Sequence, residues 1–442
     1  MPKNEKTRDN SAISLNSKVY FSILIDQFNW FYFEDYVYTR SGIHAPMGLD
    51  DLFIIKEKLS VVEGEDVVYV DSLFVEKWLK KNGISTFNII KNRLIEERRK
   101  QPEIYKLKSK QEQATILFTS GTHSSSKAVL LNHKNQNSSF QEFSNSIIFK
   151  GCKSYLNLLS HSFSGGRKVF YASVLAGLEI YSVQRRMTLV ENLALYKPDL
   201  IACVPYMLKD LLVYLRGNGN KLGLKKIICG GARLDELVRI EFENHGIIIY
   251  NVYGLTETAS LCSYPVDDDY MKGSAGKISE NIQFKLSERS ELLIKGDVLA
   301  IGYLEKGQIR EFTDSNAYFN TKDIVEVDAE RNIFIKGRTS SLVKTNKGKF
   351  INIEEFMDFM DFQRQNVDLH CLFSDKEHIL AISSNIGFED MEKVKAKLVL
   401  LGGLGIQFSK VFLYKSTKNY EGKPNKDIIF NNIVEEIKLN EN

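Results

Sequence analysis

Thr119-Ser120-Gly121-Thr122, followed by Lys127, gathers small hydroxyls, a glycine and an ammonium into one short loop between two apolar runs. Such a loop can wrap a polyphosphate. Hydroxyls and free backbone N–H groups donate hydrogen bonds, Gly121 permits close approach, and the lysine offsets charge. The spacing is not that of a P-loop, which needs a Gly, four residues and then Gly-Lys-Ser/Thr. The nearest lookalike, Gly273-Ser274-Ala275-Gly276-Lys277, has Met271 where the first glycine belongs and Ile278 where the hydroxyl belongs. Taken alone, the loop reads more readily as an ordinary solvated turn.

Other residue groups follow in order. Gly230-Gly231-Ala232 ends the apolar run Lys226–Cys229, and Tyr253-Gly254-Leu255-Thr256-Glu257 presents a hydroxyl and a carboxylate together after another. Thr256 also reads as a helix N-cap. Asp323, Arg338 and Lys423 are single charged residues of a kind usually solvated,. His161 lies in Ser160-His161-Ser162-Phe163-Ser164-Gly165-Gly166, where a lone histidine reads either as structural or as a proton carrier,.

In sequence, TSGT, GGA, YGLTE, the Glu291–Tyr303 stretch, the Tyr318–Ile324 stretch, Gly337-Arg338 and Gly422-Lys423 resemble the adenylate-forming superfamily of acyl- and aryl-CoA ligases, luciferases and peptide-synthetase adenylation domains. The resemblance runs from about Thr115 to about Ile429. It implies activation of a small carboxylic acid by ATP to an acyl-adenylate. Transfer to a thiol of coenzyme A or of an acyl or peptidyl carrier protein would follow, with release of AMP and pyrophosphate.

By this resemblance Thr119, Ser120, Gly121, Thr122 and Lys127 bind phosphate, and Gly230, Gly231 and Ala232 lie beside the adenine. Tyr253 and Gly254 belong to the adenine site, Thr256 contacts the α-phosphate and Glu257 coordinates Mg²⁺. Asp323 holds the ribose and Arg338 contacts ribose and phosphate. His161 lines the acyl pocket, and Lys423 bridges the attacking carboxylate and the α-phosphate. Ser340 is the implied hinge. The chain departs from the family pattern at Ser124, Ser126, Ala128 and Lys322. These departures keep open a second reading, a non-catalytic nucleotide- or acyl-binding descendant.

The elements that must position these groups are α/β. Leu200–Val204, Lys226–Cys229 and Gly246–Tyr250 are fully apolar strand runs separated by helical patterns, as in parallel sheet covered on both faces. Leu292–Ile294 and Ile333–Ile335 suggest a small β subdomain. Val67–Val70 reads as a strand, and Val75–Asn82 and Phe87–Lys100 read as helices. The expected architecture is a large N-terminal AMP-binding domain over 1–338, abbreviated at its start, with parallel-rich sheets, helices and the small β subdomain. A small, mobile α+β C-terminal domain over 339–442 follows. There, Ile353–Phe362 and Glu389–Leu400 read as helices, and Ile379–Ile382 and Val411–Leu413 as strands.

A length of 442 residues is too long for a single core,. A net charge of +3, with basic and acidic residues interspersed, gives no reason to expect nucleic acid,. No apolar run is long enough to suggest a membrane span. The five cysteines form no CxxC pair, which argues against structural zinc and fits reduced thiols in the cytoplasm.

Overall fold

The computed structural model describes residues 13–14, 19–23, 43–47, 67–70, 73–88, 113–119, 127–184, 187–267, 271–305, 308–312, 318–339, 342–344, 350–352, 369–373, 378–383, 410–414 and 433–437. The three apolar runs read from the sequence become the strands Leu200–Cys203, Lys226–Cys229 and Ile248–Asn251 of a five-stranded parallel sheet, completed by Ser154–Asn157 and Glu179–Ser182. Side chains alternate across a strand, so each run must find partners on both faces. Ile201, Cys203, Ile227, Cys229 and Ile249 pack on one face with Leu208, Leu211 and Leu215 of the helix Leu208–Asn218. Leu200, Ala202, Ile228 and Tyr250 pack on the other with Phe143 and Val169. Two covered faces explain why these strands carry no polar alternation.

A second, nine-stranded sheet contains the strands that flank the hydroxyl-rich loop. Gln113–Phe118 and Ala128–Asn132 pair antiparallel, with Phe118 opposite Ala128. Residues 119–127 therefore connect a hairpin. Gly302–Glu305 pairs with the second of these strands, placing Tyr303 opposite Val129. A four-stranded antiparallel sheet of Ile282–Leu286, Glu291–Gly296, Phe319–Val327 and Ile333–Arg338 is the small β unit expected from the sequence.

In the C-terminal part, Leu369–Phe373, His378–Ser383, Lys410–Tyr414 and Ile433–Ile437 form a mixed four-stranded sheet. Both strands expected there are present. The two helices expected over 353–362 and 389–400 lie outside the described residues.

Near the start, Val67–Val70 is a strand and Leu73–Lys81 a helix. One expectation needs correction. Phe87 and Asn88 belong to the strand Ser85–Asn88, paired in parallel with Val67–Val70, rather than to a helix. Backbone pairing with an adjacent strand overrides the local helical spacing. Residues 89–100 of that expected helix lie outside the described residues.

Candidate active site

The turn from Tyr253 to Ser263 is the hub of the site. Tyr253 leaves the strand Ile248–Asn251 and bridges to Ser263: its carbonyl accepts from the backbone N–H of Cys262 and Ser263 at 2.9 and 3.0 Å. Only glycine fits at 254, because a Cβ there would lie 2.2 Å from the Ser260 carbonyl. Thr256–Thr258 is a single 3₁₀ turn. Thr258, not Thr256, makes the cap-type hydrogen bonds, accepting from the Leu255 N–H at 2.9 Å and donating to the Leu255 carbonyl at 3.0 Å. The N-cap reading of Thr256 is thereby corrected, and its hydroxyl is not committed to capping.

Ala259 and Ser260 follow with φ of 49° and 66°, a left-handed pair that side chains disfavour,. Neighbouring elements hold it in place. Ser139, on the helix His133–Ser144, donates to the Ala259 carbonyl at 2.8 Å. Lys168, on the helix Ser164–Leu175, donates from Nζ to the Ser260 carbonyl at 2.7 Å and sits 4.1 Å over the Phe143 ring. Lys168 is 1% exposed. Burial pushes its ammonium down to about 7, partly offset by Cys262 and Glu142,.

Asp323 is aimed by an irregularity in its strand. Between Asn320 and Ile324 the pairing with Glu291–Gly296 slips, and Lys322 takes φ 64°. Such a bulge re-aims the next side chain. Asp323 accepts from the Tyr253 hydroxyl at 2.5 Å on Oδ2 and from Arg338 Nε at 2.7 Å on Oδ1. Burial, then Cys262 and Asp323, raise the Tyr253 pKa, so the phenol stays a donor,.

On the other side of the hub, Tyr303 donates to Glu257 Oε1 at 2.8 Å, and Lys127 Nζ lies 4.7 Å over the Tyr303 ring. The Glu257 carbonyl accepts from the Ala300 N–H at 2.8 Å. Arg338 lies close enough to Glu257 for their charges to interact. Lys127, Glu257, Tyr253, Asp323 and Arg338, separated by up to 211 positions in the chain, therefore converge on one turn.

Gly230, Gly231 and Ala232 follow the neighbouring strand Lys226–Cys229, and a Cβ on Gly230 would come within 3.0 Å of Val252. That segment thus packs beside the entry to Tyr253. The Thr119 N–H donates to the Lys127 carbonyl at 2.9 Å and closes the neck of the hairpin loop. Ser120, Gly121 and Thr122 lie outside the described residues, as do Ser340 and Lys423. His161 is fully buried, with Nε2 3.5 Å from the Asn157 amide and its ring 4.5 Å from that of Phe170.

The geometry adds Tyr303, Lys168 and Ser139 to the residues read from the sequence. Tyr303 closes the Glu291–Tyr303 motif, and Arg167-Lys168 is a pair of cations inside a largely apolar helix. Those signals were visible. Ser139 carried none.

Residues 50–304 match the family model of the AMP-binding enzyme, more than half of the chain. The chain belongs to the AMP-binding enzyme family. Among curated members, a 2-succinylbenzoate–CoA ligase of Staphylococcus epidermidis is 30% identical over 239 residues, covering 52% of this chain and 50% of that protein. The chain thus matches about half the length of the curated relatives it resembles.

Solved structures of CoA ligases share the fold. The O-succinylbenzoate coenzyme A synthetase (MenE) of Bacillus subtilis, in complex with ATP and magnesium ion, superimposes with TM-score 0.69 at 18% identity, covering 93% of this chain and 89% of that one. The anthranilate CoA ligase AuaEII, in complex with anthranoyl-AMP, gives TM-score 0.71 at 15% identity, covering 92% and 86%. The mixed α/β architecture is that of adenylate-forming enzymes. Among the described residues, no helix is long and apolar enough to cross a membrane.

Proposed function

We propose that this AMP-binding family member is an acid–thiol ligase. It activates a small carboxylic acid with ATP to an acyl-adenylate, releasing pyrophosphate, and passes the acyl group to the thiol of coenzyme A or of a carrier-protein phosphopantetheine, releasing AMP. One observation carries this reading: Lys127 at the hairpin neck and Glu257 of the 3₁₀ turn meet on Tyr303, and the same turn carries Tyr253, which is tied to the buried Asp323 carboxylate and through it to the half-exposed Arg338. One side is suited to a triphosphate and its cation, the other to a nucleoside.

The donor set fits magnesium brought with the nucleotide. Among the described residues, no group of three or more His, Cys, Asp or Glu could hold a metal. Glu257 is a single hard carboxylate of the kind that holds Mg²⁺ together with substrate phosphates and water. The bound ion would neutralise charge on the phosphates. Thr119, Ser120, Gly121, Thr122 and Lys127 would cradle the β- and γ-phosphates, and Thr256 would donate to the α-phosphate. Gly230, Gly231, Ala232, Tyr253 and Gly254 would form the adenine wall.

Asp323 would accept the ribose hydroxyls. Each carboxylate oxygen has a second lone pair beyond those taken by Tyr253 and Arg338,. Arg338 would contact ribose and phosphate, and His161 would line the route to the acyl group. Lys423 would bridge the attacking carboxylate and the α-phosphate. Positioning and charge neutralisation would supply most of the rate.

We also infer a division at 338/339, with 339–442 moving between the two half-reactions about Ser340. In support, Thr339 Oγ1 donates to Glu291 at 2.6 Å, which anchors the chain directly before the hinge position. The cytoplasm is the compartment that fits an enzyme using ATP and free thiols.

Incubation with ATP, Mg²⁺ and a panel of aliphatic and aromatic acids, including 2-succinylbenzoate, with coenzyme A or a holo carrier protein in parallel, tests the whole reaction. Mass analysis should find an acyl thioester and AMP with one acid class and one acceptor. AMP formation with no thioester on either acceptor would refute the second step.

A further inference from the structure

Tyr303 touches both groups assigned above to the phosphate side. Its hydroxyl donates to Glu257 Oε1 at 2.8 Å, and its ring lies beneath Lys127 Nζ at 4.7 Å. Its own position is fixed three ways. Backbone pairing sets it opposite Val129, two residues beyond Lys127. The Phe312 ring meets it edge-on at 4.5 Å, and the Arg310 guanidinium lies 5.5 Å from its centroid. Leu117, Val129, Ala259 and Ala300 pack together in the cluster that receives it.

From this geometry we propose that Tyr303 is a positioning residue, holding the Glu257 carboxylate and the Lys127 ammonium in the orientations that receive a magnesium–triphosphate. The proposal rests on the nucleotide reading of the site. The hydroxyl and the ring act separately. Glu257 has two oxygens and three rotatable side-chain bonds. A hydrogen bond to Oε1 restricts the rotation of the carboxylate and leaves Oε2 and one lone pair of Oε1 for the cation,.

Lys127 carries a flexible four-carbon stem beside a hairpin loop. The ring face attracts its ammonium without consuming any of its three donors. A tyrosine supplies both functions from one side chain; phenylalanine would supply only the second.

The test reads nucleotide binding, not turnover. Calorimetric titration of ATP at rising Mg²⁺ is compared for the wild type, Tyr303→Phe, Tyr303→Leu, Glu257→Gln and the Tyr303→Phe/Glu257→Gln double variant. Tyr303→Phe removes one oxygen and keeps the ring, so the fold should survive it. Losing a hydrogen bond to a charged group should raise the Mg²⁺ midpoint about 3- to 10-fold, with little change in ATP affinity when Mg²⁺ is absent. Tyr303→Leu should in addition weaken Mg²⁺-free ATP binding about 2- to 5-fold.

In the Glu257→Gln background, Tyr303→Phe should have little further effect on the Mg²⁺ midpoint, because the carboxylate that Tyr303 orients for the cation is already gone. An unchanged Mg²⁺ midpoint in Tyr303→Phe, or an equal shift in both backgrounds, overturns the positioning role while leaving the nucleotide reading intact. A wild type that binds no ATP at any Mg²⁺ concentration overturns both.

Discussion

Asp323 and Arg338 face each other across paired antiparallel strands, and the guanidinium Nε donates to Asp323 Oδ1 at 2.7 Å. The two ends of this pair differ. The carboxylate side chain is 4% exposed and the arginine 48%. Asp323 also holds the Tyr253 hydroxyl, so the β unit and the parallel sheet meet at one buried carboxylate. A buried charge with two donors is rigid, and a half-exposed arginine can still reach a ligand.

Asp323→Asn should therefore cost both stability and affinity. Loss of charge beside Arg338 and Tyr253 should lower unfolding stability by about 1–3 kcal/mol. If Asp323 accepts the ribose hydroxyls, ATP affinity should fall about tenfold or more. Denaturant unfolding and calorimetry measure the two separately. Wild-type affinity in a destabilised variant would leave Asp323 a structural residue only.

Lys168 should give the protein a pH-dependent stability of known sign. Its native pKa is pushed down to about 7, against an ordinary value of 10.5. Below that window both states carry the proton, and the desolvation cost is fully present. Between the two values the unfolded chain holds a proton that the native state has released. The stability contribution of Lys168 therefore rises with pH, at up to about 1.4 kcal/mol per pH unit. Subtracting the unfolding curves of Lys168→Met from those of the wild type across pH 6.5 to 10 isolates the group. A flat difference would show that Lys168 titrates in the native protein as it does in water.

Lys322 should tolerate glycine and resist β-branching. It holds φ 64° in the bulge before Asp323, a conformation that costs a side chain roughly 1 kcal/mol,. Lys322→Gly should be neutral or stabilising by up to about 1 kcal/mol, a gain of about 1–2 °C in Tm. Lys322→Val should be destabilising by about 1 kcal/mol or more. Scanning calorimetry decides it, and a Tm that falls equally for both would point to a contact of the lysine side chain instead of backbone strain.

Three strands of the parallel sheet were legible because burial on both faces leaves their central positions apolar, whereas Ser154–Asn157 and Glu179–Ser182 carry polar residues and were not read as strands. Ile201, Ile227 and Ile249 needed only that rule. The site was legible through motif order, since Glu257, Asp323 and Arg338 are ordinary charged residues one by one. What escaped was whatever depended on registers between distant strands. Tyr303 reaches Glu257 because Gly302–Glu305 pairs with Ala128–Asn132 across more than 170 residues of sequence. Ser139 and Lys168 matter because two helices pack against a left-handed turn whose φ values no local pattern announced. Phe87 was misread as helical because spacing alone does not reveal a neighbouring strand.

Carboxylate-dependent exchange of labelled pyrophosphate into ATP bears most directly on the central claim, because it reports reversible adenylate formation without needing the thiol acceptor. Across a panel of acids, exchange is expected with at least one class, dependent on Mg²⁺, and lowered at least about 100-fold by Lys423→Ala with ATP binding retained, as for a group that acts in the transition state. Folded protein that binds ATP yet exchanges no label with any acid would contradict it, and would make this chain a nucleotide-binding relative without the ligase chemistry.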